Sequence, residues 1–499
     1  MLKYIRKEAN ELKRTFTENG AATLESTGSA CLDLFATIGA LRKADESEIL
    51  DRFVRAFYEE RDIAMKILFY GRDVTEGLGE RRVFRTILRW LAFNAKDTVV
   101  KNLDNVQEYG RYDDLLTLLD TPCENEAIEY IRRTFAQDME NLKIGYPVSL
   151  LGKWLPSVNA SNSKTVNKAV KIAKALGLSN AEYRRSLSAL RKKIRIVENN
   201  LRESDYSFEY DAIPSRASYK YRDAFIRNDG ERYKEYISKV SSGKAYMNMS
   251  NVSPYELIQP YLYALNYRNN KSYMSVLTPD EEKFLNAAWK SLPDFGTREN
   301  ALAVIDTSGS MYFQNKPLPA AVALSLGLYF AERNKGAFAN CFIEFSDIPQ
   351  LIEIKGKTFT DRLRYAASFS RVANTNLEAV FDLVLRAAVK NRVRAKDMPK
   401  KLVIISDMEF DMCINNSSMT VYENAKRNYE YYGYTLPQIV FWNVASRNRQ
   451  QPVSMDEKGT ILVSGATPKL FRMIAGGETS PYKFMMEVLE SRRYAPIVA

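Results

Sequence analysis

The residues best suited to chemistry stand at the ends of apolar runs. Ala301 to Ile305 opens directly onto Asp306-Thr307-Ser308-Gly309-Ser310, so a carboxylate and two hydroxyls two residues apart share one glycine-containing loop. These are hard oxygen donors. Mg²⁺ prefers octahedral oxygen coordination by one or two carboxylates with water, so the spacing suits a divalent cation. Further donors stand at Thr375, within Asn374-Thr375-Asn376, and at Asp407, which follows the apolar run LVIIS, with Glu409 and Asp411 as nearby alternates. The plain alternative for Asp306 or Asp407 is a helix N-cap, and for the serines loop hydrogen bonding. A cap alone explains neither two hydroxyls at this spacing nor a second carboxylate at another strand end.

A second pattern is charge. Between residues 164 and 195 stand Lys164, Lys168, Lys171, Lys174, Arg184, Arg185, Arg191, Lys192, Lys193 and Arg195 against the single acid Glu182, which matches most of the chain's net charge of +11. Helical projection puts the four lysines of residues 164–174 on one face, and Val166, Val170, Ala173 and Leu176 on the other. Ser179 to Glu182 reads as a capping box opening a second helix that buries Leu187, Leu190, Ile194, Val197 and Leu201. A phosphate backbone fits such a basic ridge, because each neutralised phosphate releases counterions. A solvated face or an acidic protein surface is the alternative. Gly77-Leu78-Gly79-Glu80-Arg81-Arg82 lacks the phosphate-loop consensus and is expected to form a helix-helix turn. The tyrosines between 206 and 236 and between 255 and 273 read mainly as interhelical packing.

The chain of 499 residues contains no histidine, which excludes Ser-His-Asp and Cys-His catalysis and His-ligated zinc. Its four cysteines, Cys31, Cys123, Cys341 and Cys413, form no CxxC pair, so a reduced, cytoplasmic life is expected. The N-terminal MLKYIRKEANELKR has no signal-type apolar stretch behind it, and no run of about 18 apolar residues suggests a membrane span.

These donors and charges need elements to position them. Residues 1–297 read as an all-helical, repeat-like array, with apolar residues recurring at three and four through Glu48 to Tyr70, Arg81 to Ala95, Asp113 to Leu119, Glu124 to Phe135 and Thr165 to Leu176. Residues 298–499 alternate strand-length apolar runs with helices, which predicts a mostly parallel, doubly wound α/β sheet with ligands at its strand ends. This second part is expected to fold by itself.

Together the DTSGSM loop, Thr375 and Asp407 resemble the metal-ion-dependent adhesion site (MIDAS) of a von Willebrand factor A domain. The resemblance implies Asp306, Ser308 and Ser310 as loop ligands of Mg²⁺ or Mn²⁺, Thr375 as the second-loop hydroxyl, and Asp407 as the last ligand, often through water. Family members often carry glycine before the threonine, where this chain has Asn374. The strings TENGAATLESTGSACLDLF, GRDVTEGLGERRVF, EYGRYDDLL, YRRSLSALRKKIRIVE, IPSRASYKYRDAF and FWNVASRNRQQPV resemble an uncharacterised family of helical proteins with a C-terminal A domain. That layout is similar to the Ro ribonucleoprotein family, whose TROVE module, a HEAT-like helical ring closed by an A domain, binds RNA. The resemblance implies a non-enzymatic RNA-binding scaffold whose A domain closes the array or recruits partners. The alternative is a protein-interaction module that captures a partner's acidic residue at the metal. A hydrolase is disfavoured, because the constellation supplies no evident general base.

Overall fold

The computed structural model describes residues 1, 13–266, 271–296, 299–312, 317–346, 348–369, 376–411, 419–477 and 479–499, with the backbone alone for 263–266 and 271–274. Up to residue 296 the described chain is mostly helical, with two short hairpins that the helical reading did not include. The first joins β1 (Arg14–Phe16) to β2 (Ala22–Leu24). Its turn passes through Asn19-Gly20, where Gly20 takes a φ of 83° that glycine adopts without strain. The second joins β3 (Leu262–Asn266) to β4 (Lys271–Met274). The apolar run read as one helix from Glu48 to Tyr70 is two, Glu46–Glu59 and Arg61–Arg72, because Glu60 is extended at φ −153° and ψ 104°. The run Asp113 to Leu119 is reduced to the single turn Tyr112–Leu115.

Beyond residue 300 stand β5 (Ala301–Asp306), β6 (Cys341–Phe345), β7 (Gln350–Glu353), β8 (Lys401–Ser406), β9 (Gln438–Asn443) and β10 (Thr460–Ser464). They form one sheet in the order β10-β9-β8-β5-β6-β7, parallel except for the β6–β7 pair. Chain order reverses between β5 and β8, so their carboxyl ends frame the crevice where α/β sheets take ligands. Asp306 ends β5 and Asp407 directly follows β8.

Alternate strand residues point to opposite faces, and the two faces join different cores. Leu302, Val304, Leu402, Ile404, Ile439 and Phe441 pack with residues of the helices Leu377–Lys390 and Val421–Tyr431. Ala303, Ile305, Val403, Ile405, Val440 and Trp442 belong to a core that runs without a break into the helical half, through Phe35, Tyr70, Leu78 and Leu91. Helix Pro319–Arg333, buried from Pro319 to Ala331, lies inside it. At the sheet edge Gly39 meets β10 so closely that a Cβ would stand 2.5 Å from the Ser464 carbonyl oxygen.

The ends of the chain reinforce this joint. Ala22 bridges Thr420 and Leu24 bridges Gln451, carrying the first hairpin onto the sheet domain. Tyr494 and Ile497 are buried in the helical half, and Arg493 pairs at 2.9 Å with Asp73, which is fully buried. A second half that folds independently does not fit this arrangement, since one of its sheet faces is completed by residues before 298. The fragment 298–499 made alone should therefore bind a hydrophobic dye and melt without a cooperative transition. In the full chain, Gly39→Ala should lower stability by about 2 kcal/mol through overpacking, measurable by denaturant unfolding.

Candidate functional site

Four of the five expected metal ligands come together at the β5–β8 crevice. Asp306 is fully buried; one carboxylate oxygen accepts the Ser308 amide at 2.8 Å and the other the Ser406 hydroxyl at 2.5 Å. The Ser308 and Ser310 hydroxyls lie 3.0 Å apart, and Ser310 is close enough to Asp407 to favour its charged form. Thr375 lies outside the described residues. Burial, and after it the charge of Asp407, holds the Asp306 carboxyl well above the ordinary carboxylate range. Burial raises Asp407 as well, against the lowering effect of Arg447. Two such carboxylates with hydroxyls between them form a set of oxygen donors whose excess negative charge a cation would relieve. No group of three or more Cys, Asp or Glu suited to a metal occurs among the described residues, so any ion here would rely on the hydroxyls. Glu409 does different work from that of an alternate ligand: its carboxylate accepts the Glu18 amide at 2.8 Å and the side-chain amides of Asn448 and Gln450.

The basic window divides. On the helix Ser163–Ala175 the buried residues are Ala169, Ile172 and Ala173, while Val170 is exposed, so the expected faces are rotated. Lys168 consequently donates to the Leu116 carbonyl, and Lys171 is held by Asp120 at 2.6 Å and Glu124 at 2.5 Å. Lys193 donates to the Gly145 carbonyl. Arg191 closes the short helix Leu151–Trp154, donating to the carbonyls of Gly152 and Leu155 and to the Ser157 hydroxyl. The capping box of Ser179 and Glu182 forms as expected. Lys164, Lys174, Arg184 and Arg185 project into solvent.

Arg191, Lys192 and Arg195 reach something larger. They line an open cavity of about 2250 Å³ formed by the helical half, with Leu292, Pro293, Phe295 and Thr467 to Lys469 on its rim. Its described lining holds fourteen Lys or Arg residues against five Glu, interleaved with Tyr112, Trp154, Phe208, Tyr219, Tyr221, Tyr255 and Phe295. Arg111 lies 4.6 Å over the Trp154 ring. Burial, then Arg72, with smaller effects from Arg81 and Arg216, pushes the Arg111 pKa below its usual value, only partly offset by Asp113. A guanidinium so crowded by like charge favours an anion beside it. The helices Arg81–Asn94 and Ser215–Asn228 also present N-termini without side-chain caps at the cavity wall, where Arg81, Arg82, Ser215 and Arg216 stand. The Gly77 to Arg82 segment is the helix-helix turn expected, and it forms part of this wall. A Cβ on Gly77 would fall 2.1 Å from the Tyr70 carbonyl, and Gly79 has a φ of 72°.

Comparison with known proteins matches residues 17–143 and 128–294 to a family model described as a domain of unknown function, DUF2828. Residues 300–490 match another, the domain of unknown function DUF7788. An uncharacterised protein of Acanthamoeba polyphaga mimivirus is 28% identical over 525 residues, covering 97% of this chain and 88% of that protein. The crystal structure of the Deinococcus radiodurans RO (RSR) protein aligns with a TM-score of 0.37 and 15% identity, over 87% of this chain and 92% of that one. No described helix is long and apolar enough to cross a membrane.

Sequence reasoning missed most of the cavity cations, including Arg42, Lys43, Arg111, Lys153, Arg216 and Lys469. They are spread over more than four hundred residues, and no window of sequence shows their density. The mixed basic and aromatic strings GRDVTEGLGERRVF and IPSRASYKYRDAF were the available signal, since both contribute to the wall. Arg191 is a structural residue as well as a lining one. Arg191→Gln should cost about 2 kcal/mol of stability, because three acceptors lose their charged donor, and a thermal melt of the variant would show it.

Proposed function

We propose that this chain, which belongs to the DUF2828 family, is a non-enzymatic scaffold that binds RNA in the basic cavity. The observation that carries the reading is the lining itself, fourteen cations against five acids with aromatic rings between them. Phosphates are met by the cations and bases by the rings, a combination that suits single-stranded nucleic acid without demanding a sequence. RNA is the nucleic acid that the resemblance to the Ro family implies. Among the described lining cations the side chains of Lys43, Lys192 and Arg195 make no ion pair, hydrogen bond or ring contact, and the Arg111 guanidinium rests on Trp154. These four are cations available to a phosphate.

Mg²⁺ or Mn²⁺ belongs to the proposal as a structural ion at the A-domain-like crevice, held by Asp306, Ser308, Ser310 and Asp407. The donor chemistry fits a hard cation. Capture of a partner's acidic residue at that ion takes second place, because Glu18 of the chain itself already reaches Asp407 through Arg447.

Replacing Lys43, Arg111, Lys192 and Arg195 by Gln should weaken binding of single-stranded RNA across sequences. The slope of log affinity against log salt should become shallower by roughly 0.7 for each phosphate that is no longer neutralised. Replacing Lys164, Lys174, Arg184 and Arg185, which face solvent outside the cavity, should leave both quantities unchanged in the same filter-binding assay. For the ion, Mg²⁺ at a hundredfold excess over its Kd should stabilise the protein by about 2.7 kcal/mol. Asp306→Ala should abolish the corresponding shift in Tm.

A further inference from the structure

Arg447 stands between two carboxylates. Its Nη2 lies 3.0 Å from Asp407 Oδ2 and its Nη1 lies 2.9 Å from Glu18 Oε2. Asp407 is almost wholly buried, whereas the Arg447 side chain is 30% exposed and the Glu18 side chain 48%. Glu18 belongs to the turn between β1 and β2, and that turn is seated on the loop after β8. Its Thr17 hydroxyl donates to the Phe410 carbonyl at 2.5 Å, the Glu18 amide to the Glu409 carboxylate at 2.8 Å, and the Asn19 side chain to the Glu409 carbonyl at 2.7 Å. Asn448, next to Arg447, donates to both Glu18 and Glu409. The guanidinium therefore supplies positive charge at the mouth of the crevice while linking Asp407 to the N-terminal hairpin.

We propose that Arg447 is a tethered counter-ion that a divalent cation displaces from Asp407, so that metal entry and docking of the N-terminal hairpin oppose each other. The proposal rests on the metal reading of Asp306, Ser308, Ser310 and Asp407. A metal drawing on Asp407 competes with Arg447 for the same carboxylate, and a divalent ion a few ångströms from a guanidinium repels it. Entry of the metal therefore costs the Arg447–Asp407 pair. Arg447 keeps Glu18 as its partner and moves outward with it, which loosens the turn. Linkage makes the effect reciprocal: whatever holds the turn down weakens the metal, and the metal weakens the turn. The exposed end of the pair, Arg447 with Glu18, is the part able to move, because Asp407 is fixed at the end of a buried strand.

The test is Mn²⁺ titration of the full chain, with R447Q, R447K and D306A beside the wild type, together with amide exchange of the hairpin. R447Q should bind Mn²⁺ roughly tenfold more tightly than the wild type, a difference equivalent to about 1.4 kcal/mol. R447K, which restores the charge, should bind about as the wild type does, and D306A should not bind. Saturating Mn²⁺ should speed exchange of the Glu18 and Ala21 amides in the wild type. In R447Q those amides should exchange fast with or without the ion. Equal affinities in wild type, R447K and R447Q, all lost in D306A, would overturn the exchange while leaving the metal reading intact. Absence of Mn²⁺ binding to any of the proteins would overturn both, and tight binding that survives D306A would put the ion elsewhere and overturn both as well.

Discussion

One face of the six-stranded sheet is covered jointly by its own helix Pro319–Arg333 and by the helical half. The rest of the architecture follows from that shared burial. Ala303, Ile305, Val403, Val440, Trp442 and Val463 sit in the same apolar core as Phe35, Tyr70 and Leu78. Removing such side chains from water is favourable by roughly 25 cal/mol per Å² of apolar surface, and the term acts only when the two halves are together. Helix Pro319–Arg333 packs on β5, β6 and β8, while Ala30–Thr37 and Pro481–Leu489 pack on β10. The Gly39 approach to Ser464 fixes how near the halves come. Once they are joined, Thr467 to Lys469 add to the wall of the cavity, and the first hairpin reaches the strand ends.

The wall also holds many of its charges in place. Arg72 binds Asp114 and Arg42 binds Glu80, so these guanidinium groups facing the space are oriented by carboxylates beneath them. Lys469 is oriented in a similar way, donating to the carbonyls of Val74 and Thr75. Such groups lose little freedom on meeting a phosphate, since their geometry is already set. Arg216 is held by Glu256. Charges arranged this way would offer a polyanion a defined path more than a large gross attraction, because each internal acid cancels part of the field.

The central strands were legible because burial on both faces leaves an apolar run without alternation, and the runs Ala301 to Ile305 and LVIIS became β5 and β8 with their ends shifted by at most one residue. The crevice was legible for the same reason: Asp306 and Asp407 announce themselves by following such runs. Glu60 was not, since no glycine or proline marks the break, and packing of two short helices overrides a continuous apolar period. Basic density misled where it was highest. Val166 and Val170 looked like the buried stripe, yet two alanines and Ile172 face the neighbouring helices, and that rotation turned Lys168 and Lys171 inward to protein acceptors. The cavity was invisible because its cations are scattered over many segments of the helical half, with Lys469 alone added from the second, and only the packing of the helices collects them.

The two candidate sites share a physical logic, with opposite signs. At the crevice, buried carboxylates are served by the chain's own guanidinium; in the cavity, guanidinium groups are served by the chain's own carboxylates. In both, an incoming ion must exchange with an internal partner, so its affinity measures a difference between two pairings and not the full attraction of the site. An unpartnered set of fourteen cations would hold any polyanion and would destabilise the fold by self-repulsion. Internal pairing removes much of that cost and leaves a subset, such as Lys43, Lys192 and Arg195, to set the number of phosphates engaged. On the proposed reading, the salt dependence of RNA binding would report this subset and not the size of the lining.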